Sequence, residues 1–240
     1  MDTERIEKLR KEWEDEEKIA HIHGWDFSHI HGRYDEEDDL PWDYRQIIDE
    51  YLTDDMKLLD FDTGGGEFLL SLGHPYGNTA ATEGFPPNVE LCKETLLPLG
   101  IDFKPCDDES NIPFADNSFD IFINRHGSFD PKEAYRILKP GGVLVNFDAD
   151  YYTAMENDEE QELPENHAHK LVPDYMHEEN EAITMEVGAY QQPRPQCDVQ
   201  LLIEAGFERI SVDVGIWQRI YAEIDEFYNP VPIFTIAAYK

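Results

Sequence analysis

The stretch Asp60-Phe-Asp-Thr-Gly-Gly-Gly66 sets carboxylates beside three consecutive glycines. That composition suits a place where backbone must come close to a ligand at the carboxyl end of a strand and a following helix offers free N–H groups. Glu83 closes the next apolar run, at the offset of about twenty residues where a carboxylate accepts hydrogen bonds from ribose hydroxyls. Together these residues describe a nucleoside site. A pyrophosphate is not expected on it: after Gly64 and Gly66 the third glycine of a dinucleotide fingerprint falls on Leu69, and no Gly-Lys-Ser/Thr follows. The histidine pairs His21/His23, His29/His31 and His167/His169 have the alternate spacing a metal site can use. No third ligand has a matching spacing, so they read as solvated loop histidines and no metal is expected.

Positioning such a site requires strands that end at it and helices that return the chain. Met56–Phe61 is a short apolar run, followed past the glycines by the helical Glu67–Leu72. The alternation continues with a strand at Asn78–Glu83, a helix at Asn88–Leu97, strands at Ile101–Cys106 and Phe119–Asn124, a helix at Lys132–Leu138 and a strand at Val143–Phe147. A helix closed by Gly206 and strands at Arg209–Gly215 and Ile233–Tyr239 complete it. Strands alternating with helices predict an α/β fold, here a Rossmann-like, doubly wound and mostly parallel seven-stranded sheet covered on both faces. Residues 1–52 read as an N-terminal helical extension, with Ile6, Leu9, Trp13 and Ile19 as its apolar stripe and a second helix over Trp42–Leu52. Residues 53–240 form one domain, in which 148–196, poor in periodic signal, is expected to be a substrate lid inserted after the fifth strand.

The composition narrows the partners. With 53 acidic against 19 basic residues the formal charge is −34, and nucleic acid, which is bound through lysine and arginine, is disfavoured. The acidic residues are spread through helices and loops and read as a strongly solvated surface. No stretch nears the roughly 18 apolar residues needed to cross a bilayer, and the start lacks the apolar core of a signal peptide, so a cytoplasmic protein without membrane partners is expected. Three scattered cysteines, Cys92, Cys106 and Cys197, fit reduced thiols.

From Met56 to Phe147 the order of these parts resembles the class I S-adenosylmethionine-dependent methyltransferases. The acidic, glycine-rich motif stands as Leu58-Leu-Asp-Phe-Asp-Thr-Gly-Gly-Gly66, followed by the ribose carboxylate at Glu83. An adenine-side aspartate before a Pro-Phe turn stands in Asp108-Glu-Ser-Asn-Ile-Pro-Phe114. Next come Asn117-Ser-Phe-Asp-Ile-Phe-Ile-Asn124 and the Leu138-Lys-Pro-Gly-Gly142 turn. The resemblance implies that S-adenosylmethionine is the cofactor, held by Asp60, Asp62, Thr63, Gly64, Gly65, Gly66, Glu83, Gly84, Asp108, Glu109 and Asn124. Trp25-Asp-Phe-Ser28 and Asn124-Arg-His126 resemble a bacterial subgroup whose amino-terminal segment folds over the cofactor, which adds Trp25. One position departs from the pattern: relatives have glycine where this chain has Asp62, and its carboxylate is expected to face the cofactor's positive charge.

Methyl transfer from a sulfonium is an in-line displacement, so the protein chiefly supplies proximity, orientation and a dry site, with a base where the acceptor must lose a proton. His126, directly after the fourth strand, is the candidate base. Asp148, Tyr151 and Tyr152, after the fifth, are candidates for the acceptor pocket. The expected function is O- or N-methylation of a small molecule by a monomer or homodimer. The alternatives are a non-catalytic binder of the cofactor or its by-product, with Asp62 as the damaged element, and a protein methyltransferase with a basic partner.

Overall fold

The computed structural model describes residues 8, 10, 11, 14, 15, 18, 24, 26, 28–32, 34–37, 40–149, 195–221 and 228–240. Its strands are β1 (Tyr34–Glu37), β2 (Leu58–Phe61), β3 (Thr79–Glu83), β4 (Asp102–Pro105), β5 (Phe119–Arg125), β6 (Leu138–Ala149), β7 (Glu208–Tyr221) and β8 (Tyr228–Tyr239). Its helices are α1 (Tyr44–Tyr51), α2 (Glu67–Ser71), α3 (Pro86–Thr95), α4 (Pro131–Ile137) and α5 (Gln196–Ala205).

Local signals account for these elements. Asp43 caps α1, its carboxylate accepting from Gln46 N at 2.8 Å, and Tyr44 and Ile48, one turn apart, carry the buried face. Asp130 caps α4 in the same way, accepting from Lys132 N at 2.7 Å, with Pro131 in the first turn. Every residue of β2 and of β3 is buried, the pattern of parallel strands with helices on both faces. Leu58, Ile121, Ile123, Val143 and Val145 face one core with Ile48, Cys92 and Leu96. Leu59, Phe61, Phe122, Leu144 and Ile236 face the other with Ala134, Ile137 and Leu202.

The sheet order is β1-β7-β8-β6-β5-β2-β3-β4. β2 to β6 pair in parallel, while β8 runs antiparallel to both β6 and β7. The chain leaves β2 outward through β3 and β4, then returns to place β5 on the other side of β2. Strand order therefore reverses between β2 and β5, and in an open α/β sheet the crevice at the carboxyl ends beside such a reversal is where ligands bind. The turns after β2 and β5, which carry Asp62 and His126, are thereby brought together.

The seven expected strands are all present. An eighth, β1, comes from the N-terminal segment and pairs antiparallel with β7, Tyr34 opposite Tyr221. The Leu138-Lys-Pro-Gly-Gly142 turn is absorbed into β6 as a register shift: pairing with β5 passes from Phe119–Leu138 to Ile121–Val143, with Gly141 at φ 82°.

Candidate active site

The turn after β2 is closed from within. Asp60 is buried, and Thr63 Oγ1 donates to its Oδ2 at 2.5 Å. Thr63 N donates across to Thr82 O of β3 at 2.9 Å. Gly64 and Gly66 sit at φ 67° and 85°, a left-handed backbone that glycine adopts without steric cost. Burial pushes the Asp60 carboxyl up to about 7, against the opposing pull of the Thr63 hydroxyl and the Arg125 charge.

Glu83, at the end of β3, holds this turn to its own. Gly64 N donates to Oε2 at 2.7 Å, while Gly84 N and Phe85 N donate to Oε1 at 2.9 and 2.8 Å. A carboxylate has about four lone-pair sites, so three backbone donors fix its orientation and leave acceptor capacity toward the crevice. Gly84 is required by close packing, since a Cβ there would lie 2.6 Å from Cys106 O.

Asp62 stands between the two strands. It has a left-handed φ of 58°, uncommon for a residue with a Cβ, and its N–H reaches Thr82 Oγ1 at 3.3 Å. The residue opens to solvent at the mouth of the crevice, but its carboxyl is enclosed by protein. Desolvation, followed by the charge of Glu83, a hydrogen bond shared with Glu83, and Glu109, pushes it up to about 7. On its far side, a Cβ built on Gly127 would lie 2.6 Å from Asp62 Oδ2 and 2.9 Å from Asn124 Nδ2. Asp62 thus touches the Glu83 side and the β5 side at once.

Asn124, fully buried at the end of β5, joins those sides. Its Nδ2 donates to Phe61 O at 3.3 Å, and its Oδ1 accepts from Gly127 N at 3.2 Å. Next along the chain, His126 also has a left-handed φ of 60°. Its N–H donates to Phe147 O at 2.9 Å, and its ring packs edge-on to Phe147 at 4.7 Å. Nδ1 lies 3.7 Å from Oδ1 of the buried Asp148, an ion-pair distance longer than a hydrogen bond. Of the four non-glycine residues with positive φ among the described residues, Asp62 and His126 flank the crevice. Such backbone strain concentrates at functional sites.

Asp108 and Glu109 lie in an exposed turn beyond β4. Asp108 Oδ1 accepts from Ser110 N at 3.0 Å and Ser110 Oγ at 2.6 Å, so it braces its own turn. Burial, Asp130 and Asp108 raise the Glu109 carboxyl. Gly65 closes the set beneath the N-terminal segment: Gly24 N donates to Asn88 Oδ1 of α3 at 2.9 Å, and a Cβ on Gly24 would come 3.0 Å from Gly65 Cα. Trp25, Tyr151, Tyr152 and nearly all of 148–196 lie outside the described residues.

The structure adds residues that sequence reasoning passed over. Gly127, Thr82 and Asn88 contribute through a Cβ-free approach, a hydroxyl and an amide. Tyr44, within the helix expected over Trp42–Leu52, donates its buried hydroxyl to Asn124 O and Val145 O, 3.0 Å from each, beneath the strand ends. The glycine after His126 was the available signal for Gly127; the others rest on contacts far apart in sequence.

Residues 59–146 match the family described as "Methyltransferase domain". The match runs from β2 into β6, across the strands whose ends form the crevice. Among curated relatives, the ubiquinone/menaquinone biosynthesis C-methyltransferase UbiE of Desulfotalea psychrophila is 35% identical over 101 residues, 38% of this chain and 41% of that protein. The demethylmenaquinone methyltransferase of Staphylococcus aureus is 32% identical over 114 residues, 43% of this chain and 47% of its own length. The chain thus spans less than half the length of the curated relatives it matches. A SAM-dependent methyltransferase from Methanosarcina mazei superposes with a TM-score of 0.52 at 19% identity, covering 81% of this chain and 96% of that one, which speaks for the fold.

The donors and acceptors of the crevice fit a cationic nucleoside. Asp60, Asp62, Glu83 and Glu109 line it with carboxyl groups, hostile to a pyrophosphate and suited to hydroxyl donors and a positive charge.

Proposed function

We propose that this protein is an S-adenosylmethionine-dependent methyltransferase acting on a small-molecule acceptor. The observation that carries the reading is the Glu83 carboxylate, buried and braced by three backbone N–H groups at the switch point, with the Asp62 carboxyl beside it. Glu83 holds the ribose hydroxyls, and the Gly64–Gly66 turn lets backbone lie against the cofactor. Asp108 and Glu109 border the adenine side. Gly24, held by Asn88 and close to Gly65, borders the cofactor on the N-terminal side.

When bound, the cofactor supplies an electrophilic methyl group on a cationic sulfur. The protein's part is to orient the acceptor, exclude water and take a proton. His126 receives that proton, and Asp148 steadies the imidazolium that results. The acceptor therefore carries an acidic proton on oxygen or nitrogen. Methylation falls on that atom or on a conjugated carbon activated by the proton's loss, the latter in keeping with the C-methyltransferase name of one relative.

Calorimetric titration with S-adenosylmethionine and S-adenosylhomocysteine tests the site, and transfer of a labelled methyl group to a panel of phenols, quinols and amines tests the reaction. Binding of both ligands at micromolar concentration, lost in Glu83→Ala, together with transfer to a panel member, supports the reading. Absence of binding by wild type ends it.

A further inference from the structure

The sulfur that carries the methyl group must lie between the nucleoside and the acceptor. On the proposed reading, Glu83 marks the nucleoside end and the His126–Gly127 turn the acceptor end. Asp62 occupies the interval: its N–H reaches Thr82 Oγ1, next to Glu83 on β3, at 3.3 Å on one side, and its Oδ2 would lie 2.6 Å from a Cβ on Gly127 on the other. The geometry points to Asp62 as the residue that gives this site its charge preference, holding the sulfonium form of the cofactor over the uncharged thioether left after transfer.

This rests on the methyltransferase reading and adds to it a residue that selects between substrate and by-product. The charged and titratable groups around Asp62 come from every neighbouring element. They are Asp60 on β2, Glu83 on β3, and Cys106 and Glu109 beyond β4, with the Gly127 turn closing the β5 side. Desolvation first and the charge of Glu83 next push the Asp62 carboxyl up to about 7, so near neutral pH it holds a fraction of a proton. A cation arriving beside Asp62 favours its ionised form and releases that proton, whereas a neutral sulfur leaves the proton in place. Donor binding is therefore coupled to proton release through Asp62, and loss of the charge on transfer weakens the hold on the by-product. A glycine at this position would give neither effect, which supplies a use for the strained φ of 58°.

The test is calorimetry of both ligands at pH 7 in two buffers of different ionisation enthalpy, which counts protons exchanged, on wild type, Asp62→Asn and Asp62→Gly. Asparagine and glycine both tolerate a left-handed φ, and melting curves establish that the variants fold. Wild type is expected to prefer S-adenosylmethionine and to release a fraction of a proton with it that S-adenosylhomocysteine does not release. In both variants the preference should shrink by on the order of tenfold and the difference in proton count should vanish. Variants that keep the wild-type ratio and proton count overturn the inference while leaving the methyltransferase reading in place. Failure of wild type to bind either ligand overturns both.

Discussion

The two sides of the crevice are built differently. On the β2–β3 side the polar groups are locked by short local bonds: Glu83 takes three backbone donors within 2.9 Å and Asp60 takes the Thr63 hydroxyl at 2.5 Å. On the β5–β6 side His126 Nδ1 and Asp148 Oδ1 stand at 3.7 Å, and the imidazole depends on packing against Phe147. One side is pre-organised by backbone geometry, and the other is set by how two strands are brought into register. A ligand common to a family can be recognised by the first. The second is where an acceptor-specific enzyme can vary, and apo distances between catalytic groups are often long before the substrate complex forms.

The sharpest way to break the locked side is Glu83→Ala. It leaves three N–H groups without their acceptor, and each such buried donor costs roughly 1–3 kcal/mol. We expect a drop in Tm of several degrees together with loss of binding of both cofactor forms. Glu83→Gln keeps one acceptor oxygen, enough for one of the two turns, and sets its NH2 against the N–H of the other, so it should recover only part of the Tm while binding weakly. An unchanged melting curve for Glu83→Ala would mean that the latch does not hold the turns.

The open side should respond in the opposite way. His126→Ala is expected to lower kcat by about a hundredfold or more, the usual range for a general base, with cofactor affinity and Tm nearly unchanged. Asp148→Asn, which keeps the shape and removes the charge, should fall between the two. A pH-rate profile then separates a base from a packing residue: loss of the acidic limb in His126→Ala supports the base. A loss of Tm as large as that of Glu83→Ala would instead assign His126 to the fold.

The same contrast decides what the sequence made legible. Asp60, the glycines and Glu83 were readable because their chemistry is carried by short-range spacing and by strands buried along their whole length. The seven strands followed from alternation of apolar runs with helical ones. Tyr34–Glu37 gave no strand signal, because three of its four residues are acidic; it becomes one by pairing with β7, a case of tertiary context overriding local preference. His126 was readable as a candidate, but its meeting with Asp148 was not. That contact depends on the β5–β6 register, Arg125 opposite Phe147, which no local pattern encodes. Asp62 could be seen as a departure from glycine, but its contact with the β5 turn arises from the reversal of strand order.

The smallest expected effect concerns Asp60, on the locked side, and shows what that locking costs. Its folded-state carboxyl titrates at about 7 against an ordinary 3.8, so the folded protein holds the proton more tightly than the unfolded chain. That stabilisation is fully present below about pH 4 and is lost as the pH rises toward 7. Asp60→Asn keeps an acceptor for Thr63 but cannot ionise. Between pH 5 and 8 wild type should therefore lose stability relative to the variant, by at most about 3 kcal/mol, the part of the shift that lies above pH 5. Each kcal/mol corresponds to roughly 2–4 °C in a chain of this length. Paired melting curves across that range read the difference directly, and the overall acidic repulsion, common to both proteins, cancels. Parallel curves for the two would mean that Asp60 is ionised in the fold at neutral pH, stabilised by Arg125 and Thr63 beyond what burial takes away, and the turn after β2 would then carry a full negative charge toward the cofactor.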